Sequence, residues 1–446
     1  MTTSLDAWIE TRCAAAVREM RRAVSAVDLV HRRPIFDWAV RPLPGSVLAS
    51  PKRAHWDPEP DYFYHWLRDA AVVIDRLPAV LRLVDAQEAA WWRQAFHDHL
   101  AFNLVISDPD VPAPPANPLQ ARTRPDAHMY LRPDAVLRAI SGRDRLAEPR
   151  FNPDATLDLQ QWGRPQHDGP ALRVLALLHV AEAVPDLVEP ALDTLLARDL
   201  DFLCAVAGEP CIGPWEEAPE RRHAFTLIVQ WDALERGAER CRRAGDTDGA
   251  RRMAEAASRA AAVAEKAFDP AEGGWFDCVE TDTYDASVVL GILHAGRRSG
   301  PFAIDAPRTA ATVAALERRF AVRYPINRGR TVPAIGRWAD DVYFGGNPWF
   351  PTTLGFAELH YRIAAAGGPD ASAAFARAEQ WMALVREVAP EGDALPEQFD
   401  RAHGRPTGCL ALTWSAAAFI GAAEARAAAL QATGPVCVNP SADKPV

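Results

Sequence analysis

The chain has 446 residues, a net charge of −10 and an isoelectric point near 5.7, so nucleic acid and anionic membrane surfaces are poor partners. With 49% hydrophobic and 24% charged residues it has the composition of a globular protein able to bury a large core. No stretch reaches the ~18 apolar residues of a membrane span, and residues 1–14 show neither a basic n-region nor an apolar h-region, which sets the expectation of a cytoplasmic location.

Taken in order, the chain reads as helix after helix, with apolar residues at spacings such as Leu5, Ile9, Cys13, Val17, Met20 and Trp92, Phe96, Leu100, Leu104. Helices are predicted at 4–26, 66–84, 88–104, 170–184, 189–207, 225–243, 248–267, 285–296, 307–320, 351–365, 371–388 and 413–430. Pro185, Gly245, Gly300 and Gly367-Gly368 punctuate their ends, and Pro78 should kink or split the second. Connections after the second, fourth, sixth and tenth helices are only about five residues, whereas those before every even-numbered helix are much longer. Six hairpins joined by long loops describe an all-α (α/α)6 toroid, with the long loops gathered on one face where a site belongs. Residues 1–430 form one expected catalytic domain and 431–446 a tail, while 107–150 is a Pro- and Arg-rich insertion expected to order over the rim.

Each long loop carries similar cargo. Before the second helix comes Pro60-Asp61-Tyr62-Phe63-Tyr64-His65-Trp66-Leu67-Arg68-Asp69, and before the fourth Trp162-Gly163-Arg164-Pro165-Gln166-His167-Asp168-Gly169. Trp215-Glu216-Glu217 precedes the sixth, and Trp275, Asp277 and Asp285 the eighth. Arg337-Trp338-Ala339-Asp340-Asp341-Val342-Tyr343 and Asn347-Pro348-Trp349 precede the tenth, and Glu397-Gln398-Phe399-Asp400 to Trp414 the twelfth. Any one could be a structural corner, and Glu216-Glu217 alone could be an acidic helix start favoured by the helix dipole. Converging in phase with the hairpins, they make a pocket of Trp, Tyr, Arg and carboxylates. That composition suits a carbohydrate, whose rings stack on aromatic faces and whose hydroxyls pair with Arg and Asp.

Cleaving a glycosidic bond with inversion needs two carboxyl groups about 6.5–9.5 Å apart, one donating a proton and one activating water. Glu216 or Glu217, packed against Trp215, can supply the acid, and Glu397 from the last long loop is the best candidate for the base. Arg68 and Asp69 would hold hydroxyls of the terminal sugar, and Tyr62 could position water. Other chemistries lack their signatures: no P-loop, no His-x-x-x-His zinc spacing and no Gly-x-Ser-x-Gly elbow occur, and Asp340-Asp341 lacks the second acidic cluster of magnesium-dependent prenyl-diphosphate enzymes. The seven cysteines show no metal-ligand spacing and are expected as unpaired thiols; His97 and His99 read as surface residues. No cofactor or metal is expected, and nothing in the pattern defines an oligomeric state.

These stretches, in this order, resemble the glucoamylase family, family 15 of the glycoside hydrolases, catalytic domain only. The resemblance runs from Gly45-Ser46-Val47-Leu48-Ala49-Ser50-Pro51 through Tyr62 to Asp69, Glu148-Pro149-Arg150-Phe151-Asn152, Trp162 to Arg173, Trp215-Glu216-Glu217, Gly346 to Phe350 and Glu397 to Asp400, ending at Leu412-Thr413-Trp414-Ser415. It implies exo-acting, inverting release of β-glucose from non-reducing ends of α-linked gluco-oligosaccharides, through α-1,4 or α-1,6 bonds. It further implies Glu216 as general acid and Glu397 as general base, with Tyr62 and Gln398 near the attacking water. Trp66, Arg68, Asp69, Arg337, Tyr343 and Trp414 would surround the terminal sugar, Trp162 and Trp349 would form aromatic walls beside Trp215, and Glu217 would contact the next sugar. The chain departs from the family's fungal members at Gly213-Pro214, where they have Asp-Leu, and in the length of the stretch between the acids and Phe225. A glucan-sensing toroid without activity is the alternative from another class.

Overall fold

In the computed structural model, which describes residues 4–56, 58–392 and 394–433, the chain is helical with a few very short strand pairs. The helices are α1 (Leu5–Ala23), α2 (Leu67–Ile74), α3 (Leu77–Leu83), α4 (Ala86–Ile106), α5 (Asp134–Arg138), α6 (Asp168–Ala183) and α7 (Pro190–Val206). They continue with α8 (Ala224–Ala244), α9 (Thr247–Ala264), α10 (Ser287–Ala295), α11 (Pro307–Arg323), α12 (Phe350–Ala366), α13 (Ala371–Val388) and α14 (Thr413–Thr433). The strands are β1 (His31–Arg33), β2 (Trp38–Val40), β3 (His65–Trp66), β4 (Arg150–Phe151), β5 (Gln398–Phe399) and β6 (Pro406–Thr407), joined as three antiparallel pairs in chain order.

Helices α2, α6, α8, α10, α12 and α14 each pack on the next, and α14 returns onto α2, closing an inner ring. Around it lie α4, α7, α9, α11, α13 and α1, and each of the last five packs on its inner partner, α1 on α14. Composition explains which helices are inside. Every residue of α2 is buried, and α12 is buried without interruption from Phe350 to Leu359, as expected of helices apolar all round. By contrast α9 buries one stripe, Met253, Ala256, Ala257, Ala260 and Ala264, and turns its charges outward. Glycines set the close approaches within the ring. A Cβ on Gly169 would lie 2.6 Å from the Leu67 Cβ, and one on Gly355 would lie 2.6 Å from Leu290 Cδ2.

The toroid stands as expected, and Pro78 splits the second predicted helix: α2 ends at Ile74, and Pro78 sits in the first turn of α3, where its missing N–H costs nothing. Residues 107–150 are mostly turns plus α5, with a small core of their own that joins Leu119, Leu131 and Leu137 to Phe36 and Leu159. Two expectations fail. Trp275 is fully buried against Phe268 and Phe302 in the main core instead of facing the loop side, and His99 is buried, its Nδ1 3.0 Å from the Gly45 carbonyl oxygen. Six cysteines are free thiols; Cys437 and most of the expected 431–446 tail lie outside the described residues, although α14 runs through 431–433. Among the described residues no helix is long and apolar enough to cross a membrane.

Candidate active site

The long loops and the N-terminal ends of the inner helices meet around a cavity of about 220 Å³. Short backbone pairings stitch neighbouring loops together and fix what they present: Trp66 opposite Arg150, Asp285 opposite Trp338, and Trp349 opposite Gln398. Tyr62, Trp66, Arg68, Asp69, Trp162, Trp215, Glu216, Glu217, Arg337, Tyr343, Trp349, Glu397 and Trp414 all line the cavity. Gln398 alone of the expected residues stands behind the wall, donating from Nε2 to Glu397 Oε2 at 3.0 Å.

Glu216 is held from four directions. Its Oε1 accepts from Trp66 Nε1 (2.7 Å), Gln166 Nε2 (3.0 Å) and Arg68 Nη2 (3.2 Å), and its Oε2 accepts from Trp162 Nε1 (2.6 Å). Its backbone has φ of 65°, a left-handed conformation rare outside glycine and common where a site fixes its geometry. The close approach of the next loop requires Gly163, since a Cβ there would lie 2.9 Å from the Glu216 carbonyl oxygen. Trp215 does not cover Glu216 as expected. Its indole N–H points away and donates to Asp285 at 2.9 Å, and its ring faces Trp349 and Trp414.

Glu397, on another loop, is buried, and burial pushes its carboxyl up to about 7 despite hydrogen bonds from Gln398, the Cys409 N–H (3.3 Å) and the Tyr62 hydroxyl (3.1 Å). The Tyr62 hydroxyl also lies 2.6 Å from that of Tyr343. Asp69 is likewise raised, to about 6, by burial that outweighs the guanidinium of Arg68 3.5 Å away. Arg68 itself donates from Nη1 to Gln166 (3.0 Å) and Asp168 (3.1 Å). Arg337 grips Asp341 through Nε (2.9 Å) and Nη2 (2.6 Å), and Nη2 also reaches the exposed Glu217 at 2.9 Å. Asp69 Oδ2 and Trp349 Nε1 are buried in this wall without a hydrogen-bond partner among the described residues.

Sequence reasoning missed two kinds of residue. Gln166, Asp168, Asp341 and Asp285 stood in the loop stretches, but their task is to aim Arg68, Arg337 and Trp215; the i, i+4 spacing of Arg337 and Asp341 was the available signal. Trp56 lines the cavity and belonged to no motif. The departure at Gly213-Pro214 has a steric cause: a Cβ on Gly213 would lie 2.7 Å from the His223 ring, which packs flat against it, and Pro214 lines the cavity.

A possible metal set lies outside the cavity. His223, Asp277 and Cys278 bring donor atoms within 4.8 Å of one another, yet His223 Nδ1 already meets Asp277 at 3.3 Å and Cys278 Sγ meets Thr281 Oγ1 at 3.1 Å. Asp340 and Asp341 do not form a cation pair, because Asp341 is committed to Arg337 while Asp340 is exposed.

The sequence model of glycosyl hydrolases family 15 matches residues 37–105 and 136–370, more than half of the chain. The chain belongs to that family. Glucoamylase 1 of Rhizopus oryzae is 30% identical over 345 residues, 64% of this chain and 56% of that enzyme, so the match spans little more than half of that relative's length. The probable glucoamylase of Schizosaccharomyces pombe is 27% identical over 94% of this chain and 91% of its own. The glucoamylase structure from Saccharomycopsis fibuligera superposes with a TM-score of 0.77 at 21% identity, covering 96% of each chain, which establishes the (α/α)6 barrel. This family 15 chain is therefore a glycoside hydrolase with a glucoamylase-like catalytic domain. The matched segments carry Glu216 and its partners, while Glu397 and Trp414 follow them on the same cavity.

Proposed function

We propose that the protein is an inverting exo-glucohydrolase that releases β-glucose from non-reducing ends of α-linked gluco-oligosaccharides. The observation that carries this reading is the facing of two carboxyl groups from separate loops, Glu216 and Glu397, into one small cavity walled by aromatics. The cavity is smaller than the ~300–1,000 Å³ of pockets for drug-sized ligands, which favours one terminal ring over a chain running through. Asp69, ion-paired with Arg68, and Trp349, beside Arg337, stand in its wall where hydroxyls of that ring would lie.

In this reading Glu216, protonated, gives its proton to the glycosidic oxygen as the C1–O bond breaks. Glu397, ionised, takes a proton from water whose oxygen attacks C1 from the opposite face, so the sugar leaves as the β-anomer. Tyr62 and Gln398, bonded to Glu397, hold it toward that water. A base that titrates near 7 is well matched to work at neutral pH. The same raised value also suits a proton donor, and this favours one second reading, in which the two carboxyl groups exchange roles. Pro214, on the cavity wall beside the proposed acid, is the residue we assign to the choice between α-1,4 and α-1,6 bonds.

Proton NMR of the first turnovers of maltose and isomaltose tests the stereochemistry and the linkage together. Early β-glucose is expected, and early α-glucose would overturn the inverting assignment. A further outcome follows from the contact beneath Glu216. Gly163→Ala pushes a methyl into its backbone, so glucose release should fall about a hundredfold while the thermal midpoint moves by only a few degrees; an unchanged rate would show that Glu216 tolerates displacement.

A further inference from the structure

Trp56 stands out among the large hydrophobic side chains of the cavity. It is 46% exposed, its backbone has φ of 71°, and no helix or strand holds it. A bulky residue in the left-handed region is a costly conformation that persists only where its surroundings impose it. That backbone sets the side chain on an aromatic seat. The Trp56 ring leans on Trp162, with centroids 5.6 Å apart at 42°, and meets Tyr62 edge-on at 6.5 Å and 85°. Trp162 is itself fixed by the bond from its indole to Glu216 Oε2. Tyr62 is bonded in turn to Glu397, so the seat spans both carboxyl groups, and the exposure of Trp56 beside the buried Trp66, Trp349 and Trp414 puts its free face at the cavity mouth.

The location decides which ring that face can meet. This inference rests on the proposed function, in which Glu216 delivers a proton to the glycosidic oxygen. The sugar that departs with that oxygen lies beyond Glu216, toward the cavity mouth, while the terminal sugar lies deeper, among Arg68, Asp69 and Trp414. From this juxtaposition we propose that Trp56, with Trp162, forms a binding platform at the rim for the leaving sugar ring of an oligosaccharide. An indole held half in solvent offers a C–H-lined ring face a surface to cover, and its tilt against Trp162 makes the two a shallow corner instead of a flat wall. Trp56 is a positioning residue here; it reaches neither reacting oxygen.

The test compares substrates with and without a leaving ring. For Trp56→Ala, kcat/KM on maltose and isomaltose should fall about fivefold to tenfold, chiefly through KM. On α-glucosyl fluoride, which departs as fluoride and carries no second ring, kcat/KM should stay within about twofold of wild type. Trp56→Phe, which keeps an aromatic face, should recover most of the loss on the disaccharides. An equal fall on all three substrates would mean that Trp56 shapes the terminal-sugar pocket, and no fall on any would mean that it binds nothing; either overturns the platform. Wild-type protein that hydrolyses neither the disaccharides nor the fluoride defeats the underlying reading instead, and the platform falls with it.

Discussion

Glu397→Gln is expected to lower glucose release from maltose or isomaltose by about 10³-fold, at the centre of the 10²–10⁴ range for losing a positioned acid or base. Glu216→Gln should cost a similar factor on these sugars, and the fluoride separates the two roles. Fluoride needs no protonation to leave, so Glu216→Gln should keep much of its rate on α-glucosyl fluoride while Glu397→Gln loses both. The reverse pattern would exchange the assignments. The pH dependence follows from burial. A base must be ionised, so kcat/KM of the wild type should rise with pH through about 7, where Glu397 titrates. Stability runs the other way. Glu397 has a native value near 7 against its ordinary 4.5, so the native state binds the proton more tightly than the unfolded chain does. Raising the pH across that window therefore removes stability, on the order of 3 kcal/mol by its upper end. At pH 8 the Gln variant should be the more stable protein in denaturant titrations, though nearly inactive. A variant less stable than wild type there would show that the ionised carboxylate is not strained by its site.

Arg68→Ala should be the most damaging single change in the wall. The guanidinium lies among Asp69, Asp168 and Glu216, at 3.5, 3.1 and 3.2 Å, and is almost wholly buried. Removing it leaves three carboxylates near one another without their common cation, a loss of about 3–5 kcal/mol by the precedent of broken buried ion pairs. The expected readout is a large fall in thermal midpoint together with loss of activity. Arg68→Lys keeps the charge but not the planar fork that serves Gln166, Asp168 and Glu216 at once. It should therefore recover much of the stability and little of the rate. If Lys restored both, the fork geometry would carry no function.

The ring was legible because helical periodicity survives in every hairpin, and the alternation of short and long connections assigns one face to function. The cavity wall was legible because the loops state it in residue types: Arg68, Asp69, Glu216, Arg337, Glu397 and Trp414 all arrive where their loops point. What could not be read was direction. Trp215 and Trp275 look alike as loop tryptophans in sequence, yet one hydrogen-bonds Asp285 at the cavity while the other packs wholly inside against Phe302. His99 reads as a surface histidine because the histidines are scattered without a ligand spacing, but its face of the helix meets Gly45, whose carbonyl it hydrogen-bonds. Trp56 gave no signal because its placement depends on a single left-handed backbone angle, which periodicity does not encode.

The closing of α14 onto α2 has a consequence for how the protein is made. Thr413 ties the start of α14 to the loop before α2, its N–H donating to the Ala49 carbonyl (2.9 Å) and its Oγ1 to that of Leu48 (2.8 Å). A ribosome adding 5–20 residues per second needs roughly 20–80 s to pass from the first of these partners to the last. Throughout that interval the apolar flank of α2 that meets α14 lacks its neighbour, and Trp414 has not yet joined the cavity wall. The ring thus stays open, and its cavity incomplete, until α14 is made.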